Sequence, residues 1–530
     1  MRRTGVIAVL ALLLAAPAHA ATKLVVTGHG WGHGVGMSQW GAYGFARHGW
    51  SFERILAHYY PGTQLAQAPV SHVRVLLAAN QPRAAVACAA PMRVSDATGR
   101  SWSLPRQRYV VSSKLNLVVG TKRVPRHAHR ESFADVPVRH ALRSPAVFDC
   151  PSAPLTWNGR PYHGLLVVRS AGKHVSVVNS LALDDYVRGV VAGEMPHDWS
   201  LAALESQAVA SRSYALATLH PSRHFDLFSD TRSQVYGGIA YETPQSNFAI
   251  RRTAGKVLTW HDRVATTFFF STSGGRTANV ADVWPAFGAV PYLRSVSDPY
   301  DAASPHHSWR VVVPGSKLAG GSIELARAQD GRVTSVLAGG KRIDATTFRR
   351  MLGLQSTWFD IGRLSLSATS ERVRFGHELT LNAAAQGLGR ATLERRIGAG
   401  VWKSIATVSG ARVVGVEPRA HTLYRLVADG VTGPVVPVDV APRLSAAPAG
   451  ANVLAGDVEP ATHGPITVLR RVAGGWKLVA RPRLDASGVF RTPLKLRAGT
   501  YRVQVGDDGR YAATTADVKV TSRLLASFGS

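Results

Sequence analysis

Glu194 is the acidic residue whose surroundings best suit it to proton transfer. It follows the apolar residues 190–193 and precedes Met195-Pro196, where a helix must end and the chain must turn. A carboxyl group at such a position can be partly buried beside a cleft, and burial raises its pKa because it disfavours the charged form. A carboxyl that keeps its proton can act as a general acid. The alternative is a helix-terminal glutamate held in a salt bridge or in solvent.

A second polar cluster consists of Ser271, Thr272 and Ser273, which follow the apolar residues 268–270 and precede two glycines. This pattern predicts a buried strand that ends in a hydrogen-bonding turn. The three hydroxyl groups could bind a polar ligand, although the same composition is common in ordinary loops. No Gly-x-Ser-x-Gly elbow surrounds them, so the sequence does not predict a nucleophilic serine.

The histidines do not form the pattern of a metal site. His29 and His33 have the spacing of zinc ligands on a helix, but glycines separate them and the adjacent glutamate of the helical zinc motif is missing. His306 and His307 are isolated from other ligand types. We therefore predict no metal and no cofactor.

Two helices are predicted around Glu194. Asp184 is a suitable N-cap for a helix that ends near Met195-Pro196, because its carboxylate can accept from first-turn amides. Ser200 is the N-cap expected for a second helix over residues 201–219, which are rich in alanine and leucine. The candidate acid is therefore placed between two helices.

The rest of the chain is dominated by strand patterns. Short alternating stretches separated by turn residues predict strands between residues 70 and 179. Beyond residue 365 the chain contains a weak internal repeat, whose spacing favours two small immunoglobulin-like β-sandwiches acting as spacers or binding modules. The repeated segments are 391–403 with 466–477, and 424–427 with 501–504.

The composition indicates an ordered, basic and exported protein. The chain has 530 residues, 45% of them hydrophobic and 18% charged, which excludes general disorder, and its formal net charge is +29. Arg2 and Arg3, the apolar residues 6–16 and the small residues 18–20 form a three-part secretory signal, so residues 1–20 are expected to be removed. The apolar run is too short to span a bilayer.

Export limits the choice of partners and the role of the cysteines. A basic exported protein is a match for anionic cell-wall polymers, whereas nucleic acid is not expected as a partner. The two cysteines, Cys88 and Cys150, are expected to form one structural disulfide after export.

A set of specific motifs lies between about residues 28 and 310. The motifs are 32–42, 58–63, 183–191, Glu194-Met195-Pro196, 204–215, 231–237, 270–277 and 283–284. Together they resemble the SpoIID/LytB family. The resemblance implies a mixed β-rich α+β domain with a few helices around the Glu-Met-Pro motif. It also implies a lytic transglycosylase that cuts peptidoglycan glycan strands between N-acetylmuramic acid and N-acetylglucosamine.

The resemblance assigns the catalysis to Glu194. As a lytic transglycosylase's general acid it would protonate the glycosidic oxygen, then accept the proton of the muramoyl 6-hydroxyl, leaving a 1,6-anhydro end without a second carboxylate. Gln207 and Arg212 could equally be buried structural residues, because buried polar groups need partners with or without a ligand. The expected substrate contacts are Gln207, Arg212, Tyr214, Ser271, Thr272, Ser273, His33, Ser38 and Gln39.

Two departures from the family pattern matter. In sporulation members the glycine-rich segment follows the Glu-Met-Pro motif, whereas here it precedes it, which predicts a circularly permuted domain. The position of His33, Ser38 and Gln39 relative to the cleft depends on that permutation. Residues 225–236 lack the cysteine and histidine zinc ligands of some members, so no zinc is predicted.

Three functions are compatible with the sequence. The first is the transglycosylase, and the second is a non-catalytic wall protein that binds glycan and stimulates an N-acetylmuramoyl-L-alanine amidase, as the LytB branch implies. The third is a wall-anchored adhesive protein that binds through its β modules and basic charge. The expected organisation is a signal peptide (1–20), a permuted glycine- and histidine-rich segment (21–68), a SpoIID-like domain with the disulfide (69–365), and two β-sandwiches (366–443 and 444–530).

Overall fold

The computed structural model describes residues 21–125, 133–220, 222–318 and 322–528. The predicted signal segment, residues 1–20, lies outside them. Within these ranges no helix is long and apolar enough to cross a membrane. The predicted fold class is confirmed, since a β-rich α+β domain with a few helices is followed by two β-sandwiches.

A glycine-rich loop joins the first two strands of the N-terminal segment. Gly34 has φ +90°, and a Cβ there would lie 2.8 Å from the guanidinium carbon of Arg332. Glycine is therefore required for this loop to pass so close to that side chain. The elements of the segment are β1 (Ala21–His29), β2 (Met37–Ser38), α1 (Gln39–Arg47), α2 (Phe52–Tyr59) and β3 (Gln64–Gln67).

A β-rich layer follows, in which alternate side chains are buried as the sequence pattern predicts. A disulfide joins Cys88 to Cys150 and so connects its two main sheets. The strands are β4 (His72–Gln81), β5 (Arg83–Cys88), β6 (Met92–Ser95), β7 (Ser101–Leu104), β8 (Arg108–Ser112), β9 (Asn116–Pro125), β10 (Phe133–Ala141), β11 (Ala146–Asp149), β12 (Leu155–Trp157), β13 (Arg160–Tyr162), β14 (Leu165–Ala171) and β15 (His174–Ala182). One sheet contains β4, β15, β14, β11, β6 and β7, and the other has the order β13-β12-β5-β8.

The next helices and strands along the chain pack around one central helix. The elements are α3 (Leu183–Glu194), α4 (Leu201–Ala217), β16 (Leu227–Phe228), α5 (Pro244–Arg252), β17 (Lys256–Trp260), β18 (Arg263–Val264), β19 (Phe269–Phe270) and α6 (Val280–Val283). Helix α4 is buried continuously from Ala203 to Ser213 and packs against α1, α2, α3, α5 and β17. A helix without a polar face is typical of a position surrounded by protein. We call the elements that share this core, from Val35 to Leu293, the first domain.

Both helices predicted around Glu194 are present. Ser200 is at the N-cap of α4 as predicted, and α4 ends at Ala217 rather than at residue 219. The prediction that Asp184 caps α3 is wrong, because Ala182 holds that position and no side chain caps the helix. Asp184 lies in the first turn and pairs with Arg212 of α4. Its carboxylate therefore serves helix packing and not helix initiation.

A small unit follows the first domain. Its elements are β20 (Ser308–Pro314), β21 (Ile323–Arg327), β22 (Val333–Ala338), β23 (Lys341–Asp344) and α7 (Ala345–Leu352).

The first strand of the described chain, β1, lies inside a sheet whose other strands are distant in the sequence. Strand β1 pairs antiparallel with β20 on one side and with β24 (Phe359–Ala368) on the other, so that Val25 faces both Val312 and Gly362.

That sheet continues into the first β-sandwich. The further strands are β25 (Arg372–Arg374), β26 (Leu379–Gln386), β27 (Ala391–Ile397), β28 (Lys403–Val408), β29 (Gly410–Val416), β30 (Thr422–Ala428) and β31 (Val431–Ala441). The order β20-β1-β24-β26-β29 forms one layer and β25-β31-β30-β27-β28 the other. Val25 of β1 belongs to the core between the layers, together with Leu364 and Leu426.

The second β-sandwich has its own core. Its elements are β32 (Arg443–Pro448), β33 (Val453–Glu459), β34 (Ile466–Val472), β35 (Gly475–Ala480), β36 (Val489–Pro493), β37 (Gly499–Val505), β38 (Thr514–Val520) and α8 (Ser522–Ala526). The sheets β32-β33-β36 and β35-β34-β37-β38 enclose a core that contains Leu454, Val468 and Phe490.

Candidate active site

Glu194, the last residue of α3, lines a cleft of about 320 Å³. The cleft combines hydroxyl and amide groups with an aromatic wall, which suits a ligand that has both hydroxyl groups and apolar ring faces. Among the described residues that line it, Glu194 is the only one with a carboxyl group. The lining residues are His33, Glu194, Tyr214, Thr231, Ser233, Gln234, Val235, Phe268, Phe269 and Trp284.

The carboxyl of Glu194 is half-buried, and this burial raises its pKa above the usual value. One interaction opposes the shift, since Gln39 Nε2 donates to Glu194 Oε2 at 3.5 Å and so favours the charged form. Gln39 is the first residue of α1. The glycine-rich N-terminal segment therefore reaches the candidate acid directly, although Gln39 and Glu194 are 155 residues apart in the sequence.

His33 lines the same cleft as a neutral ring with both nitrogens occupied. Its Nδ1 accepts from the backbone amide of Val35 at 3.1 Å, and Nε2 lies 3.0 Å from the Phe269 carbonyl oxygen. Nε2 must therefore carry the proton and donate it. Burial lowers the pKa of His33 to about 4. This histidine holds the glycine-rich loop against β19, and its ring packs against Trp284 with the ring centroids 5.0 Å apart.

Two tyrosines lie at the cleft or directly behind it. Tyr214 of α4 lines it beside Phe268 and Phe269, and burial raises the pKa of its hydroxyl. Behind the cleft, the buried Tyr186 hydroxyl donates to Gln234 Oε1 at 3.1 Å. Burial raises the pKa of Tyr186, and the charge of Glu194 adds to that shift.

Gln207 and Arg212, two of the expected contacts, do not line this cleft. Both are fully buried in α4. Gln207 Nε2 donates to Ser211 Oγ at 3.0 Å within the same helix. Arg212 Nε donates to Asp184 Oδ1 at 2.8 Å, and Nη1 donates to the Lys256 carbonyl at 2.9 Å. Arg212 thus joins α4 to α3 and β17.

Ser38 and the hydroxyl cluster after β19 also lie outside the cleft lining. Ser38 is the N-cap of α1 and accepts from the Gly41 amide at 3.1 Å. Ser273 Oγ donates to Asp301 Oδ2 at 2.9 Å, and the Thr272 and Ser304 hydroxyls are 2.8 Å apart. The parallel pairing of β2 with β19 joins these two segments behind the cleft.

A buried acidic pair, which no local sequence pattern predicts, lies behind the pairing of β2 with β19. Asp298 and Asp301 are fully buried, and Asp298 faces the hydroxyls of Tyr59, Ser38 and Ser273. Burial, followed by the charge of Asp301, raises the pKa of Asp298 to about 7. Gly41 passes directly over this group, where a Cβ would overlap the Asp298 carboxylate. These acids hold the start of α1, and hence Gln39, in position.

The comparisons with known proteins agree with the sequence motifs. Residues 171–260 match the family model described as SpoIID, Stage II sporulation protein. The Stage II sporulation protein D of Bacillus subtilis (strain 168) is 32% identical over 228 residues, which are 38% of this chain and 66% of that protein. The protein of the same name from Bacillus amyloliquefaciens gives 32% over 229 residues with the same coverage. The chain thus spans just under two thirds of the length of these relatives.

A third relative has a different name from the first two. The amidase enhancer of Bacillus subtilis (strain 168) is 33% identical over 141 residues, which are 27% of this chain and 19% of that protein. The chain belongs to the SpoIID/LytB family.

The solved structures found by comparison resemble the chain only weakly. A two-domain fibronectin type-III segment of chicken tenascin has 16% identity and a TM-score of 0.20, covering 30% of this chain and 97% of its own. Domains 3 and 4 of rat CD4 have 10% identity and a TM-score of 0.19, covering 28% and 97%. The sandwich fold is defined here by the packed sheets themselves.

The Arg212–Asp184 pair should be a large contributor to stability. Replacing Arg212 by Gln leaves Asp184 and a buried carbonyl without their partner, so we expect the free energy of unfolding of the first domain to fall by about 3 kcal/mol. Arg232→Gln, in the exposed pair with Asp230, is the matched control and should cost less than about 1 kcal/mol. Urea unfolding followed by tryptophan fluorescence measures both, and equal losses would contradict this role.

Asp298 should make the first domain less stable as the pH rises. An unfolded aspartate has a pKa of about 3.9, whereas burial raises that of Asp298 to about 7 in the fold. Its stabilising contribution is therefore complete below about pH 4 and is lost as the pH rises through about 7. Asp298→Asn should remove this slope in melting temperature between pH 4.5 and 8, whereas Asp198→Asn, at an exposed position, should keep it. An unchanged slope in Asp298→Asn would exclude Asp298 as its source.

Proposed function

We propose that this chain is an exported cell-wall protein that cleaves peptidoglycan glycan strands as a lytic transglycosylase, with Glu194 as the general acid and base. One observation carries the proposal: a single half-buried carboxyl, with a pKa raised by burial, lies in a cleft that otherwise has only neutral lining residues. The family membership and the names of the relatives support a role in the cell wall.

The proposed reaction needs only one carboxyl group. Protonated Glu194 donates its proton to the glycosidic oxygen as the bond from that oxygen to C1 of N-acetylmuramic acid breaks. The resulting Glu194 carboxylate then accepts the proton of the C6 hydroxyl while O6 bonds to C1. The products are a 1,6-anhydromuramoyl end and a free hydroxyl on N-acetylglucosamine, and no water is consumed. Hydrolysis would require a second carboxylate as nucleophile or base, and the described lining has none.

The neighbouring side chains would bind and orient the sugar. Trp284, Phe268 and Phe269 offer apolar faces to a sugar ring, while Thr231 and Ser233 offer hydroxyl groups. Gln39 contacts the carboxyl itself and stabilises its charged form, which is the form that must accept the second proton. His33 has no free ring nitrogen for proton transfer.

Glu194→Gln tests the reaction directly. Because Gln cannot donate the proton, the rate of formation of 1,6-anhydro ends should fall by about a hundredfold or more. The assay is mass spectrometry of purified glycan strands, intact and peptide-stripped, after incubation with the protein starting at residue 21. Glu378→Gln, on the exposed surface of the first sandwich, should leave the rate unchanged. New reducing ends in place of anhydro ends would indicate a hydrolase and overturn the proposal.

The pH dependence of kcat/KM should change when the hydrogen bond between Gln39 and Glu194 is removed. Since the acid must be protonated, activity should be lost as the pH rises through the raised pKa of Glu194. Gln39→Ala removes the bond that favours the carboxylate, so the alkaline limb of kcat/KM should move to higher pH. Gln386→Ala, at an exposed position of β26, is the control. If the alkaline limb of the Gln39→Ala profile stays at the same pH or moves to lower pH, Gln39 does not stabilise the Glu194 carboxylate.

The second candidate function is stimulation of an N-acetylmuramoyl-L-alanine amidase by a non-catalytic glycan-binding protein. The observation that favours it is the identity of 33% with a relative named amidase enhancer. The same assay separates the two functions. Absence of glycan cleavage, with retained glycan binding and a faster amidase reaction that survives Glu194→Gln, would support the second candidate in place of the first.

A further inference from the structure

The two β-sandwiches repeat an unfavourable charge arrangement at equivalent hairpins. In the first sandwich Arg395 of β27 lies directly opposite Lys403 of β28, and in the second Arg470 of β34 lies opposite Lys477 of β35. Like charges directly opposite each other across antiparallel strands are destabilising. The same cation pair occurs at the corresponding position of both repeats, which makes it a candidate binding site for an anion.

The first of these pairs opens into a cavity. Arg395 and Lys403 line a space of about 290 Å³ together with Ile397 and Val401. Val401 is 73% exposed, so this space is open to solvent. The cation pair therefore has room beside it for a ligand that carries negative charge on an aliphatic backbone.

On the other face of each hairpin, two arginine side chains stack on a tryptophan ring. The guanidinium groups of Arg396 and Arg425 lie 5.0 and 4.0 Å from the Trp402 ring centroid. Arg425 is neutralised by Glu394 at 2.7 Å, whereas in the described part of the chain Arg396 has no acidic partner within 4 Å. Stacking on an aromatic ring keeps a guanidinium in place while its donors remain free.

The second hairpin has the same stack. Arg471 and Arg502 lie 5.8 and 4.3 Å from the Trp476 ring centroid. Arg502 is neutralised by Asp517 at 2.6 Å, and across the described residues Arg471 has no acidic partner within the same limit. Each hairpin therefore has one paired and one unpaired stacked arginine.

The acids nearest to the paired cations bind other groups; these acids are Glu394, Glu417, Glu459 and Asp485. Neither residues 395–416 nor residues 460–484 include an aspartate or glutamate. The paired cations of both hairpins are therefore open to an anionic ligand. The basic residues of these two stretches are Arg395, Arg396, Lys403 and Arg412, and Arg470, Arg471, Lys477, Arg481 and Arg483.

We propose that the β27–β28 and β34–β35 hairpins are two equivalent docking sites for one linear phosphodiester polymer. Arginine forks fit phosphate oxygens and lysine adds a point charge, so each hairpin offers a complete set of phosphate donors. Where a polymer with regularly repeated phosphates contacts both hairpins, the two linked sites bind it more tightly than either site alone. This binding is independent of the cleft at Glu194.

The test compares two variants of the full chain from residue 21 that lose the same charge. The site variant combines Arg395→Gln, Lys403→Gln, Arg470→Gln and Lys477→Gln. The control variant combines Arg372→Gln, Arg374→Gln, Arg491→Gln and Lys519→Gln, all at exposed positions of the same sandwiches. The probes are poly(glycerol phosphate) and poly-glutamate of equal charge, titrated at low salt and at about 0.15 M salt.

We expect the Kd for poly(glycerol phosphate) to rise about tenfold in the site variant and less than about threefold in the control. Equal weakening in both variants would mean that only net charge matters, and would overturn the proposal. Poly-glutamate bound as tightly as poly(glycerol phosphate) would overturn the choice of a phosphodiester. Glycan cleavage is not measured, so failure of the transglycosylase proposal leaves this result unaffected.

Melting without a ligand provides a second, independent measurement. If the paired cations repel each other in the free protein, the site variant should melt at a temperature equal to or higher than that of the unmodified chain. Addition of poly(glycerol phosphate) should stabilise the unmodified chain more than the site variant. A lower melting temperature of the site variant, in both conditions and by the same amount, would show a structural role for these residues and contradict docking.

Discussion

The complete burial of helix α4 is the constraint on which the rest of the first domain depends. This helix carries glutamine, arginine, glutamate and several serines into a region without water, and each such group must find a partner or destabilise the fold. The partners come from α3, α5 and β17, and from α4 itself. Ser213 accepts from the Leu258 amide of β17, Thr267 donates to the Ala210 carbonyl, and Glu205 binds Arg252 of α5. The surrounding elements are thereby fixed around α4.

This arrangement determines where the candidate acid lies. Arg212 of α4 binds Asp184 in the first turn of α3, and α3 runs from there to Glu194 at the cleft. On the other side, the pairing of β2 with β19 places α1 so that Gln39 reaches the same carboxyl. Hence two segments far apart in sequence meet at one group. Circular permutation is compatible with this geometry because spatial contacts, and not chain order, assemble the cleft.

The sequence predicted features that have a local signal. Helix α4 was predicted from its composition and Ser200, and the two sandwiches from the repeated Tyr-Arg and Trp-Lys segments. The insertion of β1 between β20 and β24 was not predictable, because pairing across about three hundred residues leaves no local pattern. Asp298 lies in a Ser-Asp-Pro segment of turn-like composition, which gives no indication of its burial. Arg212 has no feature in the sequence that separates a ligand contact from a packing partner.

The central position of β1 has a consequence for how the chain reaches its native state. The strand that leads the described chain is completed by residues 308–314 and 359–368. About 280 residues, on the order of 900 Å of fully extended chain, must therefore be synthesised after β1 before its nearer neighbour exists. Non-local pairing of this kind slows folding, because loop closure precedes any gain in contacts. Until those strands emerge, β1 has two open edges, which are sites for wrong pairing with other chains. A factor that covers both edges of β1 during synthesis would therefore protect the chain from wrong pairing.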